Sequence, residues 1–349
     1  MILNPKFPLY LPGVKNGSND NVSIIGANLR EDVTTLGYFV SGNGGLEIKI
    51  QQSYPTKEYA DFSDILKKFM QDNQLENIKR FGMAVPGPVL NGKSRPERLG
   101  WDLDMEAYSR DFGFEKVDML NDQEASAYGM ALLEDNDLDP IYTSGHLEKG
   151  NVAILAPGNG LGEAGYFFDG KYLRPFASEG GHSEFSPRTT VEVEFYQFLN
   201  NLYGIVSWEN VLSKSGLFNI YRFLRDVKRH PEPEWLAEKI NNGNFLQEIY
   251  KAAVEDDVLI CKIALDTFLE FLAREANNLT LKLKATGGLL ISGDIPQEIR
   301  AYINKDKFYE KYKISDKMEE MLKNIPIYLI KQDQTALNGV ALYTAYYEE

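Results

Sequence analysis

The sequence predicts an α/β chain folded in two lobes, and three observations carry that expectation. A hairpin-led set of short apolar strands, followed by alternating helices and strands, occurs twice, with a larger helical insert in the second copy. The 349 residues suffice for two domains. The 43% hydrophobic and 12% aromatic fractions supply packed cores for both. The expected organisation is an arm over 1–20, a small lobe over 21–133 completed by a helix at 334–349, and a large lobe over 134–333.

The arm ends in turn-forming "NGSND". Strands follow over 22–27, 34–40 and 46–51, and a helix from 57 to about 75 presents Phe62, Ile65, Leu66 and Phe69 on one face. "FGMAVPGPV" is a strand ending in a Pro/Gly turn, 104–112 a helix, "KVDML" a strand and "NDQEASAYGMALL" a helix. The second copy starts near residue 150. "NVAILAPGNG" runs into a glycine turn, and "GEAGYFFDGKYLRPF" forms a hairpin with Asp169-Gly170 at its tip. Helices then dominate to about residue 284, the longest running from Asp256. "GGLLISGDI" and "IPIYLIK" are buried strands, and a last helix starts near Thr335.

A net charge of -14 argues against a nucleic-acid surface, which needs clustered Lys and Arg. The lone Cys261 excludes an internal disulfide and a Cys-rich zinc site, and its apolar surroundings make it a core residue. No signal-peptide pattern opens the sequence and no apolar run is long enough to span a membrane, so a cytoplasmic location is expected.

Four stretches can carry chemistry. In "VDMLNDQEASAYG", Asn121 and Glu124 read as a helix cap, while Asp122 at a strand end reads as a general base; the two are compatible. In "LAPGNGLGEAG", Gly158, Gly160 and Gly162 lead into a strand, not a helix, so the dinucleotide fingerprint does not apply. What remains is either a bulged hairpin or a nest of amides for a phosphate. "ASEGGHSEFSPR" clusters Glu179, His182 and Glu184. With three histidines in the chain and none nearby, a metal site is disfavoured, leaving a sugar site or a polar loop with a structural histidine. In "WENVLSKSGL", Glu209 reads alone as a first-turn helix acid.

Together and in this order, these stretches resemble the bacterial glucokinases of the non-ROK type, within the superfamily of sugar kinases, hexokinases and actin-like ATPases. "SEGGHSEFSP" followed by "ENVLSKSGLFNIYR" is similar to the family's "EGGH" and "ERVLSGxGLxNLY" segments. "MLNDQEASAYG" is similar to its "NDF-A" helix start, "GNGLG" to its "GTGLG" second phosphate loop, and "GGLLISGDI" to its "GGIFIAGGI". The resemblance covers residues 22–345 and implies a two-lobed actin-like ATPase (ribonuclease H-like) fold. It implies a sugar site of Asn121, Asp122, Glu179, His182 and Glu209, with Asp122 taking the proton of the sugar's primary hydroxyl. It also implies nucleotide contacts from Gly158, Asn159, Gly160, Gly162, Gly293 and Asp294. ATP with Mg2+, glucose or a related hexose as partner, and a homodimer follow from the same resemblance, with no metal site of the chain's own.

One segment departs. Where the family reads "ADIGGTKTTLG", this chain reads "ANLREDVTTLG". Asn28 replaces an Asp, Arg30 and Glu31 replace two glycines, and Asp32 replaces a Thr. If that turn needs positive φ, side chains there cost about 1–2 kcal/mol. A carboxylate about 4 Å from a phosphate opposes binding by up to about 4 kcal/mol at an effective dielectric near 20. Asn159 for Thr, Asp294 for Gly and Arg98 for Asn are smaller departures. Three readings stand: a working glucokinase, a glucose-binding pseudokinase with weak use of ATP, and a kinase with another sugar or donor.

Overall fold

Strand periodicity in the first third of the chain builds one mixed sheet. The computed structural model describes residues 2–16, 19–143, 148–332 and 334–348; Gly17 and Ser18 of the expected "NGSND" turn lie outside them. The strands β1 (Ile2–Leu3), β2 (Ser23–Asn28), β3 (Val33–Gly42) and β4 (Gly45–Pro55) precede helix α1 (Phe62–Asp72) and β5 (Arg80–Val85). A short ladder of β6 (Lys93–Ser94) and β7 (Leu103–Asp104) leads into α2 (Met105–Phe112), and β8 (Lys116–Asn121) into α3 (Asp122–Met130). The sheet order is β1-β4-β3-β2-β5-β8, antiparallel as far as β2 and parallel beyond. Central β2 is buried at nearly every residue, as a strand covered on both faces requires.

The remaining elements are β9 (Leu138–Tyr142), β10 (Val152–Pro157), β11 (Leu161–Phe168), β12 (Leu173–Ser178), α4 (Thr190–Tyr203), α5 (Lys214–Asp226), α6 (Glu234–Asn242), α7 (Phe245–Val254), α8 (Leu259–Leu283), β13 (Gly288–Ile291), α9 (Asp294–Glu298), α10 (Lys305–Tyr312), α11 (Glu319–Leu322), β14 (Ile327–Ile330) and α12 (Thr335–Tyr346). They build a second sheet in the order β12-β11-β10-β13-β14-β9, with β10, β13 and β14 parallel and β9 antiparallel on β14. The chain divides into a first unit of 1–137, 166–177 and 334–349 and a second unit of 138–165 and 178–333.

Several boundaries differ from the sequence reading for local reasons. Helix α1 starts at Phe62 because the Asp61 carboxylate accepts the Ser63 amide and caps it there. Residues 56–58 form a separate 3-10 turn. Helix α8 starts at Leu259, past the left-handed Asp257. The strands β1 and β9 had no alternation long enough to mark them.

Each unit has its own core. In the first, Phe62, Phe81 and Tyr108 stack and cross between α1, α2 and the sheet. In the second, α8 lies in the middle of the core, and Cys261 is fully buried on it; burial pushes that thiol up to about 12. Helix α12 returns to the first sheet, where the Arg80 guanidinium donates to the carbonyls of Thr344 (3.1 Å) and Ala345 (2.6 Å). Gly129 on α3 and Gly339 on α12 bring those helices backbone to backbone, since a Cβ at either would overlap the other's main chain. Among the described residues, no helix is long and apolar enough to cross a membrane.

Candidate functional site

Of the expected sugar and nucleotide contacts, Asn121 and Asp122 belong to the first unit, and Gly158, Asn159, Gly160, Gly162, Glu179, His182, Glu209, Gly293 and Asp294 to the second. Asn121 ends β8 and caps α3: its Oδ1 accepts the amides of Gln123 (2.8 Å) and Glu124 (3.4 Å), and its Nδ2 donates to the Gly87 carbonyl (3.2 Å). Asp122 is the first helical residue, so β8 and the cap together fix its position. Burial pushes the Glu124 carboxyl up, consistent with a packed role in this first turn.

The β2–β3 turn of the same unit is closed by its own side chains and by the 3-10 turn that follows β4. No residue from Leu29 to Asp32 has positive φ, so the strain expected of side chains in a glycine turn is absent. Leu29 is fully buried and its amide donates to the Ala84 carbonyl. The Thr56 hydroxyl donates to the Arg30 carbonyl (2.7 Å), and the Thr56 amide donates to the Asp32 carbonyl (3.0 Å). Asp32 Oδ1 accepts the Val33 amide (2.9 Å) and lies 3.8 Å from Arg30 Nε. Lys57 Nζ lies 3.4 Å from Glu31 Oε1. Arg98 is exposed.

In the second unit the β10–β11 turn is built from close approaches. The Gly158 amide donates to the Gly160 carbonyl (2.8 Å). Glu209 Oε2 accepts the Leu161 amide (3.1 Å), and a Cβ on Gly160 would come to 2.5 Å from that oxygen, so a side chain there would have to push the Glu209 carboxylate aside. The Gly158 carbonyl accepts the Lys214 amide (2.8 Å) at the start of α5. Gly293, with φ 92°, sits against the Pro157 carbonyl, and Asp294 follows it beside Gly158. Lys214 Nζ pairs with Asp294 Oδ2 (3.3 Å). Asn159 and Gly162 lie within and just after this turn, half-buried.

Glu179 and His182, both exposed, bracket a 3-10 turn over Gly180–His182, with the His182 amide on the Glu179 carbonyl (3.0 Å). Glu209 lies in the next such turn, Trp208–Asn210. The Trp208 amide donates to the Ser183 carbonyl (2.9 Å), so the two turns are joined directly. Among the described residues no three His, Cys, Asp or Glu side chains cluster to hold a metal ion, Glu179, His182 and Glu184 included.

Sequence reasoning missed the residues behind these turns. On α8, Arg274 is buried under Phe185, Trp208 and Phe271, donates to the Ser186 carbonyl and pairs with Glu192 (2.6 Å). Its neighbour Glu275 is fully buried and faces Glu163 of β11, itself 1% exposed. The lone acid in the apolar "LGEAGYFF" strand was the available sign of Glu163, but its partner lies more than a hundred residues away.

The family model and the sequence relatives point to one family, and solved structures share its fold. The glucokinase family model matches residues 33–347, beginning just after the "LRED" turn. A glucokinase of Nostoc punctiforme is 30% identical over 320 residues, covering 87% of this chain and 93% of that protein. Among solved structures, a glucokinase from an Antarctic psychrotroph superposes with a TM-score of 0.78 at 22% identity, covering 92% of this chain and 98% of that one. A Balamuthia mandrillaris glucokinase in complex with glucose gives 0.74 at 19% identity, covering 95% and 96%.

Proposed function

Because the chain belongs to the glucokinase family, we propose that it transfers the γ-phosphoryl group of ATP to the primary hydroxyl of glucose, with Asp122 as general base. Asn121, Glu179, His182 and Glu209 orient the sugar through its other hydroxyls. The turn of Gly158, Asn159, Gly160 and Gly162, with Gly293 and Asp294, receives the nucleotide. ATP brings its Mg2+ largely on its own phosphates. The protein acts in the cytoplasm, as a homodimer.

The observation that carries this reading is the Leu161 amide on Glu209 Oε2. It makes the sugar carboxylate and the glycine turn one piece, so sugar and phosphate contacts are set together. The chemistry of the turn suits a nucleotide: Lys214 offers a cation beside Gly158, and Asp294 an acceptor for hydroxyl groups.

A second reading, a glucose-binding pseudokinase, is favoured by the first turn, where Asp32 already occupies the Val33 amide that an anion would seek. Coupled measurement of glucose 6-phosphate formation with Mg-ATP decides between them, with Asp122→Asn as the blank. Turnover on the order of 1 per second or more, falling by a hundredfold or more in the variant while glucose affinity stays within about tenfold, is expected of the kinase. Wild-type turnover equal to the blank, with glucose still bound, selects the pseudokinase.

A further inference from the structure

The molecule places two carboxyl groups where neither the fold nor phosphoryl transfer asks for any. Glu163 is 1% exposed and Glu275 fully buried, and the two carboxyl groups face each other. Two like charges side by side out of water are not both tolerated, so one of the pair holds a proton. Glu275 is the better solvated by its neighbours: Asn278 Nδ2 donates to it at 2.7 Å and Lys282 Nζ lies 3.3 Å away. Among the described residues Glu163 has no side-chain donor of its own, and only the Lys282 charge favours its ionised form. The proton therefore sits on Glu163, and burial with the Glu275 charge pushes its carboxyl up to about 7.

What Glu163 touches gives the pair a role. Its carboxyl lies against Gly180, so closely that a Cβ on Gly180 would overlap it. The same segment is bonded to the β11 strand by the Ser178 hydroxyl, which donates to the Glu163 carbonyl (3.2 Å) and accepts the Gly180 amide (3.2 Å). Gly180 opens the turn flanked by Glu179 and closed by His182. The charged groups acting on Glu163 are Glu275 and Lys282 from α8; the segment over it brings the Ser178 hydroxyl, and its titratable side chains, Glu179 and His182, are both exposed.

We propose that Glu163 is a positioning residue, and that its protonated carboxyl, facing Glu275 beneath Gly180, holds the Glu179–His182 turn in its sugar-binding form. Loss of the proton leaves two buried carboxylates against one lysine, and the freed charge is driven towards the turn, the thin cover between it and water. The turn loosens as pH rises through neutrality. The consequence for glucose rests on the sugar-site reading above; the loosening itself does not.

Two measurements separate the parts. Amide exchange without sugar, corrected for the intrinsic effect of pH, follows the His182 and Ser183 amides, which close this turn on Glu179 and Gly180. From about pH 6 to about pH 8.5 their protection is expected to fall roughly tenfold in the wild type and stay level in Glu163→Gln, whose neutral amide replaces the protonated acid. Calorimetric glucose affinity is expected to fall in parallel in the wild type alone. Glu275→Gln, the second variant, removes the neighbouring charge and moves the wild-type transition to lower pH. Level wild-type protection, or a fall kept in Glu163→Gln, overturns the proposal whatever glucose does. A fall in protection that Glu163→Gln abolishes, with no glucose binding at any pH, upholds the pair and overturns the sugar-site reading instead.

Discussion

The two hairpin turns, β2–β3 and β10–β11, occupy corresponding places in the two copies of the strand pattern and are held shut in opposite ways. The first is tied locally: Thr56, just past the end of β4, holds the Arg30 and Asp32 carbonyls, and Asp32 holds the Val33 amide. The second is tied to its surroundings: Glu209 takes the Leu161 amide, Lys214 donates to Gly158, and a side chain on Gly160 would meet the Glu209 carboxylate. A turn closed locally is stable but inward-looking. A turn closed by distant residues is only as well formed as the site around it. The carboxylates of "LRED" are therefore parts of a well-built turn, and Asp32 supplies an anion of the chain's own at the Val33 amide.

Gly160→Ala tests the dependent turn and should have the largest effect. Its Cβ would press on Glu209 and displace it from Leu161, costing about 2–3 kcal/mol of stability and roughly a hundredfold in turnover. Gly158→Ala meets Asp294 only at ordinary contact, 3.8 Å, and should leave stability unchanged in thermal unfolding. Equal effects at the two glycines would break the comparison.

Rebuilding the first turn comes next. Asn28→Asp, Arg30→Gly, Glu31→Gly and Asp32→Thr combined should raise turnover with ATP by about ten- to a hundredfold, or roughly 1.4–2.8 kcal/mol. The gain is smaller than the sequence alone suggests, because no positive φ strain is relieved and Glu31, partly exposed, is screened and paired with Lys57. The two new glycines should also cost about 1–2 kcal/mol of stability. No rise in turnover would mean that the first turn does not limit the reaction.

Thr56→Val is the smallest change. It removes the hydroxyl bonds to Arg30 and Thr34 while keeping the shape, and should cost about 1–2 kcal/mol in denaturant unfolding. A silent Thr56→Val would mean the turn closes without β4.

The sequence made the strands and the glycine turns legible because both are local: β2 and β10 announce themselves by apolar runs, and Gly158 and Gly160 by spacing. The buried face of α1 was legible for the same reason, in Phe62, Ile65, Leu66 and Phe69. What it could not reveal are pairings across long separations. Glu163 with Glu275, Lys214 with Asp294, and Thr56 with Arg30 carry no shared spacing; Asp294 and Arg30 stood out as departures from the family, but nothing in the sequence pointed to their partners. The backbone of the first turn was misjudged because the family's glycines suggested a left-handed conformation that this chain does not use.

Helix α12 has a consequence for the order in which the protein is made. The first sheet is covered by a helix encoded after the whole of 138–333, and Arg80 and Gly129 wait for partners more than two hundred residues downstream. On the ribosome, the segment synthesised second can complete its own core while the segment synthesised first still lacks a wall. Its apolar face then stays open to chaperones, and to its own neighbours on a polysome, until residues 335–346 emerge.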